Sequence, residues 1–170
     1  VTELKHRLLH KPFAGPWSSQ NATVNTNLTY FPVDQPLYVD FTHDTVLTGI
    51  LTALNMSQFS EFLDPKQTNF HRKYRASHVT PFAARLILEV IACNDEKWIR
   101  MKLNEAIIPL NQDQGCPSRT DGLCPWSGFI QHLEKAYDES MYDLSCFGKN
   151  GTDFIVDGPV RQGVPSMILK

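Results

Sequence analysis

The amino-acid sequence predicts an α/β fold, and three stretches of the chain carry this prediction. Residues 37–41, "LYVDF", have the β-rich composition of a buried strand, and a helical repeat of apolar residues begins shortly after them. Residues 83–93 and 97–103 indicate a β-hairpin, and a further helix follows Ser127. With 170 residues, 42% of them hydrophobic and 20% charged, the chain has the composition of one globular domain.

The first residues have the pattern of a short amphipathic helix. Leu4 and Leu8 fall on one face of "VTELKHRLLHKPF", and Pro12 ends the helix. A sequence that opens on the last turns of a helix predicts a chain that starts inside a fold, as half of a nicked protein or as a fragment. A complete small domain with an N-terminal helix is the alternative.

A loop, a strand and a helix are predicted in the next part of the chain. Residues 15–36 are rich in Gly, Pro, Ser, Asn and Thr, which predicts an exposed loop. The strand at 37–41 then runs through His43 and Asp44 into a helix that extends to about Met56. Its apolar stripe consists of Val46, Leu47, Ile50, Leu51 and Leu54.

The second half of the chain alternates irregular and regular segments. Residues 57–78 are polar and irregular, and they contain a basic cluster of Arg72, Lys73 and Arg75. We interpret this cluster as part of a solvent-exposed charged loop. The alternative is that it helps to hold a polyanion. Within 97–103, Ile99, Met101 and Leu103 alternate with polar side chains, as in a half-exposed strand. Ser127 is expected to cap a helix with an apolar side made of Ile130, Leu133 and Tyr137. The tail from 147 to 170 is predicted to be irregular.

Charge and hydropathy exclude two classes of partner. The net charge of −2 and the pI near 6.3 create no field that attracts nucleic acid or an anionic membrane. The apolar stretch at 84–93 is far shorter than the roughly 20 residues of a membrane-spanning helix.

Two features favour secretion. The motif Asn-x-Ser/Thr begins at four residues, namely Asn21, Asn27, Asn55 and Asn150. Cys116 and Cys124 flank a polar, Gly-containing segment, "CPSRTDGLC", that has the character of a disulfide-closed surface loop. A zinc site is the alternative for this pair, but no CxxC spacing or nearby His supports it.

His43 and Asp44 are the candidate functional residues. The C-terminal end of a strand that opens onto a helix N-terminus favours an anion, because free backbone N–H groups and the helix dipole meet there. An imidazolium at His43 would add a charged donor to a phosphoryl oxygen, and a protonated Asp44 would supply a proton to a departing alkoxide. The alternative is that Asp44 caps the helix and that a backbone carbonyl accepts from His43.

One other histidine pair carries no such chemistry. His6 and His10 lie four residues apart on the predicted first helix, but Arg7 follows His6 where a zinc protease needs Glu. We interpret these two histidines as part of a solvated face.

Several segments together resemble a known family. "LYVDFTHDTVLTGILTALNM", "VTPFAARLILEVIAC", "IRMKLNEAIIPL" and the loop from Cys116 to Cys124 are similar to the C-terminal part of the fungal histidine acid phosphatases, which include phytases and secreted yeast acid phosphatases. The resemblance extends nearly to Cys146 and keeps the order of the family's segments. It implies a mixed central sheet flanked by helices, with the His-Asp motif at the end of a core strand.

The resemblance also implies a mechanism. In the family, an upstream Arg-His-Gly-x-Arg-x-Pro motif provides a histidine that attacks phosphorus to form a phosphohistidine, and its arginines hold the phosphate. His43 resembles the histidine that contacts phosphate, and Asp44 resembles the proton donor to the leaving alcohol. No metal or other cofactor is implied.

This chain contains no Arg-His-Gly sequence. The resemblance therefore implies that residues 1–170 are the C-terminal portion of one histidine phosphatase domain, and that the chain alone is inactive. It further implies that Cys93 and Cys146 form disulfides with the N-terminal portion, while Cys116 and Cys124 pair with each other.

The substrate is predicted less directly. Thr45 follows the His-Asp pair where phytases of filamentous fungi commonly have Asn, which favours a broad acid phosphatase, whereas "VTPFAARL" is similar to phytases. We expect hydrolysis of myo-inositol hexakisphosphate, with broad phosphomonoester hydrolysis as the alternative. A secreted, glycosylated binding or structural fragment without turnover is the alternative from another functional class.

Overall fold

A computed structural model describes residues 1–12 and 26–141 of the chain. The helices in these residues are α1 (Thr2–Leu8), α2 (Asp44–Ala53), α3 (Ala76–Val79) and α4 (Trp126–Ser140), with short 3₁₀ turns at Ser57–Phe59 and Gln112–Gln114. The strands are β1 (Leu86–Cys93), β2 (Glu96–Leu103), β3 (Ala106–Ile108) and β4 (Cys124–Pro125). Asn21, Cys146, Asn150 and the predicted irregular tail lie outside the described residues.

The strands form one open antiparallel sheet, which together with the helices confirms the predicted α/β class. β2 lies at its centre and pairs with β1 along one side and with β3 and β4 along the other. The β1–β2 hairpin was predicted at this place. It closes through Asn94 and Asp95, both of which have positive φ, as a tight two-residue hairpin turn requires.

The core lies between β2 and α4. Ile99, Met101 and Leu103 are buried, which confirms the predicted two-residue alternation. Opposite them, α4 buries Phe129, His132 and Leu133. The side of α4 that faces the core thus includes the predicted Leu133. Its other buried residues, Phe129 and His132, were not part of the predicted apolar side.

Two features near the start of α4 were predicted, with different outcomes. The disulfide between Cys116 and Cys124 is present and buried, with Cα atoms 5.1 Å apart. The predicted cap at Ser127 is wrong, because the helix begins at Trp126 with Pro125 as its N-cap. β4 ends at Pro125 and passes directly into the helix, so Ser127 falls inside the first turn.

Helix α1 forms where it was predicted and packs on the same core. Leu4 and Leu8 contact the buried cluster, and the side chain of Lys5 lies 3.5 Å from Glu134 on α4. Because α1 is only seven residues long, this packing stabilises it more than its intrinsic helix propensity does.

Helix α2 is docked by its C-terminal half. Leu51, Leu54 and Met56 are buried, whereas Val46 and Ile50 of the same predicted stripe are exposed. The helix ends in a Schellman motif, in which Asn55 has φ of 51° and the Met56 N–H donates to the carbonyl oxygen of Leu51 at 3.0 Å. The N-terminal half of α2 therefore extends beyond the core with part of its apolar surface uncovered.

The predicted buried strand at 37–41 is wrong for this chain as described. The segment forms no ladder, and none of the N–H groups of residues 37–43 has a backbone partner in the described part of the chain. Phe41 is 98% exposed, and Leu37 and Val39 are also exposed. The composition predicts strand, but a strand needs a neighbour to take up its N–H and C=O groups, and no described strand lies alongside.

A buried glutamine fixes the C-terminal end of α2 to the rest of the fold. Gln114 is fully buried, and its side-chain amide donates to the carbonyl oxygens of Asn55 at 2.6 Å and Leu54 at 3.4 Å. Its side-chain carbonyl accepts from the N–H of Asn111 at 3.1 Å. One side chain thus satisfies backbone groups at two separate places in the chain.

Replacing this glutamine tests the anchor. We expect Gln114→Leu to lower the free energy of unfolding by about 2 to 3 kcal/mol, because it removes one donor from each of the carbonyl oxygens of Leu54 and Asn55 and leaves the N–H of Asn111 without its acceptor. Gln112→Leu, at an exposed position in the same 3₁₀ turn, is the matched control and should change it by less than about 0.5 kcal/mol. Denaturant unfolding of both variants measures the difference, and equal losses would contradict the anchor.

Candidate functional site

The two predicted functional residues lie side by side at the N-terminus of α2. His43 is the N-cap residue, with extended φ and ψ of −108° and 164°, and Asp44 is the first helical residue. Both are exposed. The junction forms because apolar spacing of the helical kind starts immediately after them, while the preceding β-rich residues remain extended.

The contacts of Asp44 are local. Its Oδ1 accepts from the N–H of Thr45 at 2.7 Å, and the Thr48 hydroxyl donates to the Asp44 carbonyl oxygen at 3.1 Å. Because Asp44 is the first helical residue and the N-cap is His43, the first contact is not the side-chain cap that the helix-capping alternative expects. Among the described residues, the second carboxylate oxygen has no hydrogen-bond partner and is exposed to solvent, so it is accessible to a ligand.

The imidazole of His43 has a different environment. Its backbone carbonyl oxygen accepts from the N–H groups of Val46 and Leu47, but within residues 1–12 and 26–141 its ring makes no hydrogen bond. The backbone-carbonyl contact that the alternative expects for the ring is therefore absent from this part of the chain. An exposed imidazole beside the positive end of a helix dipole is suited to contact an anion.

A buried histidine holds the opposite end of the same helix. The Nε2 of His132 lies 3.1 Å from the carbonyl oxygen of Leu54, and the ring packs near Phe129 with centroids 6.3 Å apart. Burial lowers the pKa of His132, although the contact with Leu54 acts in the opposite direction. The neutral ring with its proton on Nε2 donates to Leu54, next to the amide of Gln114.

An arginine ties down the segment that precedes the site. Arg7 on α1 forms a two-pronged ion pair with Asp40, which lies three residues before His43. The sequence predictions did not select Arg7, Asp40, Gln114 or His132. For Asp40, the available signal was an acidic residue inside the apolar run "LYVDF".

The described residues do not enclose His43 and Asp44 in a cavity. One cavity of about 530 Å³ is lined by the loop residues 62–64 and 67–72, and another of about 240 Å³ lies along the docked half of α2. Neither is lined by His43 or Asp44. The described residues thus present the pair on an open surface.

The remaining polar candidates contact backbone carbonyl oxygens. His6 and His10 contact the carbonyl oxygens of Pro12 and Val33 through their Nδ1 atoms. In the basic cluster, the Nε of Arg72 donates to the carbonyl oxygen of Tyr74 at 3.0 Å. Across the described part of the chain, no group of three or more His, Cys, Asp or Glu is placed to hold a metal ion, and no helix is long and apolar enough to cross a membrane.

Residues relevant to covalent modification are on the surface. Asn27 and Asn55 are exposed, and the Oδ1 of Asn27 accepts from the N–H of Thr29 at 2.9 Å. Cys93 is an exposed free thiol at the end of β1, next to the hairpin turn.

Comparison with known families matches residues 17–104 to the histidine phosphatase superfamily (branch 2). This range contains His43, Asp44, the helix that follows them and the β1–β2 hairpin. The match therefore covers more than half of the chain and includes the candidate site.

Curated relatives are fungal phosphatases. Phytase A of Aspergillus oryzae is 32% identical over 138 residues, which is 78% of this chain and 29% of that protein. Phytase A of Arthroderma benhamiae is 31% identical over 155 residues, which is 84% of this chain and 32% of that protein. Acid phosphatase PHO1 of Komagataella pastoris is 31% identical over 119 residues, which is 68% of this chain and 25% of that protein. The chain spans about a quarter to a third of the length of these relatives.

The depressed pKa of His132 predicts a pH dependence of stability. Since the folded state disfavours the protonated ring, the unfolded state binds more protons once the pH approaches the ordinary pKa of 6.5. The free energy of unfolding should therefore fall as the pH drops through this value, and His132→Gln should weaken the dependence while retaining a donor to Leu54.

Denaturant unfolding between about pH 7 and pH 5 measures this effect. His78→Gln, at an exposed position, is the control and should keep the dependence of the parent protein. An unchanged slope in His132→Gln would contradict the role given to the buried ring.

Proposed function

The chain belongs to the histidine phosphatase superfamily (branch 2), and on this basis we propose that it is the C-terminal portion of a secreted acid phosphomonoesterase. The observation that carries the proposal is the exposed His43–Asp44 pair at the N-terminus of α2, inside the region matched to the family. An anion at this position gains from the positive end of the helix dipole.

In the proposed reaction, a histidine of an N-terminal portion attacks phosphorus. A nitrogen–phosphorus bond forms as the ester phosphorus–oxygen bond breaks, and protonated Asp44 gives its proton to the departing alkoxide oxygen. His43 donates a hydrogen bond to a non-bridging phosphoryl oxygen. Water then hydrolyses the phosphohistidine and releases phosphate. Protonation of the leaving oxygen is the step assigned to this chain, since an alkoxide leaves poorly without a proton.

The N-terminal portion of the same protein is the partner that we assign to the uncovered surface. This surface consists of the unpaired segment 37–43 and the neighbouring exposed side chains Val46 and Ile50 on α2. Its free N–H and C=O groups suit the addition of a strand, and its apolar side chains suit burial against a packed layer. The greater length of the relatives supports this occupant over a second copy of the chain.

Disulfides are proposed to join this portion to the chain. Cys93 is exposed and unpaired. It lies at the C-terminal end of the edge strand β1, where a cysteine from another segment has access. Cys146 is assigned the same role from the family resemblance, and it lies outside the described residues.

The proposed substrate is myo-inositol hexakisphosphate. Curated relatives named phytase A support this choice, and the relative named acid phosphatase PHO1 supports broad phosphomonoester hydrolysis as the second candidate. Secretion and glycosylation are proposed from the Asn-x-Ser/Thr motifs, of which those at Asn27 and Asn55 are exposed.

A leaving-group comparison tests the role of Asp44 in the intact protein. We expect Asp44→Asn to lower kcat on an alkyl phosphate by about 10² to 10⁴, because the alkoxide must then leave without its proton donor. The loss on p-nitrophenyl phosphate should be much smaller, because p-nitrophenolate is a stable anion. Asp138→Asn, an exposed carboxylate on α4, is the control and should match the parent on both substrates.

Equal losses on the two substrates would contradict general acid catalysis by Asp44. Absence of turnover of any phosphomonoester by the intact parent protein would instead favour a glycosylated binding or structural protein of the same fold.

Hydrogen exchange of the intact protein tests the proposed docking of the N-terminal portion. The amides of residues 38–42 should exchange far more slowly than those of the loop residues 66–68, because strand addition gives the amides of 38–42 hydrogen-bond acceptors. Peptide-resolved mass spectrometry measures both segments in one sample. Equally fast exchange would contradict strand addition at this segment.

A further inference from the structure

We propose that Arg7 is a positioning residue for the His43–Asp44 pair and that it acts through Asp40. The inference rests on the proposed phosphatase function and assigns a role to a residue that lies outside the candidate site. Three observations support it. Arg7 is attached to the core through α1, it holds Asp40, and the segment before His43 has no backbone ladder in the described part of the chain.

The contact between Arg7 and Asp40 has two-pronged geometry. Nη1 lies 2.6 Å from Oδ2 and Nη2 lies 3.1 Å from Oδ1, which fixes the orientation of the carboxylate as well as its distance. Nη2 also lies 2.5 Å from Glu3, one helical turn earlier on α1. The two carboxylates raise the pKa of Arg7 despite its burial, so its charge is permanent.

Aromatic rings complete the environment of the guanidinium group. Its Cζ lies 5.2 Å from the ring centroid of Phe31 and 5.2 Å from that of Tyr38. The Tyr38 hydroxyl in turn donates to the carbonyl oxygen of Pro32 at 3.1 Å. The Arg7 side chain is consequently only 17% exposed, and it holds the segment 31–40 at several places.

The arginine itself is attached to the core. Helix α1 packs on the buried cluster through Leu4 and Leu8, and its C-terminal end is joined to the same segment by His10, whose Nδ1 lies 2.7 Å from the carbonyl oxygen of Val33. The position of Asp40 is therefore set by the core through α1 and Arg7.

This attachment bears on the site because of the distance along the chain. Asp40 precedes His43 by three residues, or about 10 Å of extended backbone. On the other side, α2 fixes Asp44 by its docked C-terminal half. In the described part of the chain, residues 37–43 have no backbone ladder, and the Arg7–Asp40 ion pair ties this segment to α1 close to His43. A strand added by the N-terminal portion would pair with the backbone of this segment, and the ion pair would set its position relative to α1.

A positioning role and a role in global stability make different predictions. The carboxylate of Asp40 is 67% exposed, so water screens the ion pair and its share of global stability is small. Catalysis is more sensitive, because a displacement of about 1 Å at a reacting group costs about 10²-fold in rate.

The test uses kinetics of the intact protein with Arg7→Met, which keeps the apolar stem and removes the guanidinium group. We expect kcat on an alkyl phosphate to fall about 10²-fold with little change in KM, and a much smaller loss on p-nitrophenyl phosphate. Arg7→Lys should recover only part of kcat, because one ammonium group cannot reproduce the two-pronged contact. Lys5→Met, which breaks the α1–α4 ion pair on the same helix, is the matched control.

A double variant separates positioning from general damage. If Arg7 acts through the placement of the pair, Arg7→Met combined with Asp44→Asn should be slower than Asp44→Asn alone on the alkyl phosphate by no more than the small loss that Arg7→Met causes on p-nitrophenyl phosphate, which is the share carried by His43. Losses that multiply in full, or equal losses on both substrates, would overturn the inference while leaving the phosphatase function in place.

NMR of the intact protein without substrate tests the positioning role of Arg7 independently of enzyme activity. The imidazole resonances of His43 in labelled intact protein should shift in Arg7→Met and in Asp40→Asn, but not in Lys5→Met. Unchanged resonances in the first two variants would overturn the positioning role whether or not the protein is active.

Discussion

The structure depends on how helix α2 is held at its C-terminal end. There, the carbonyl groups of Leu54 and Asn55, which directly follow the helix, accept from two buried side chains, the amide of Gln114 and the imidazole of His132. Leu51 and Leu54 enter the apolar core. Both polar residues come from segments far along the chain, so folding of the core and placement of the helix are coupled. The consequence for function is that the C-terminal half of α2 is held on the core, while the N-terminal end with His43 and Asp44 remains exposed.

The uncovered surface beside this pair follows from the same arrangement. The hairpin and α4 bury one half of α2 but supply no strand for residues 37–43 and no cover for Val46 and Ile50. A segment of strand composition with an almost fully exposed Phe41 is unfavourable as a final state, because apolar burial is the main driving force of folding. The proposed N-terminal portion would give this segment its partners and would supply the missing walls of the site.

The sequence predicted the parts of the fold that are determined locally. The β1–β2 hairpin was predicted because Ile99, Met101 and Leu103 alternate with polar residues, and the closure of the loop from Cys116 to Cys124 because its composition suits a short disulfide-bonded loop. The strand at 37–41 was not found because strand formation depends on a neighbour, which composition does not report. The predicted N-cap Ser127 lies two residues after the observed N-cap Pro125, since β4 runs directly into α4.

For the candidate site, the sequence selected the residues that are proposed to carry the chemistry but not those that hold them. His43 and Asp44 stand out at a change of periodicity, whereas Arg7, Gln114 and His132 act across long separations in the chain and have no local signature. A crystal structure of the intact protein with orthovanadate, a mimic of the phosphoryl group, tests the central claim most directly. We predict an Asp44 carboxylate oxygen within about 3.2 Å of one apical vanadate oxygen, opposite a histidine of the N-terminal portion. A vanadate bound elsewhere, with Asp44 beyond hydrogen-bond reach, would contradict the account.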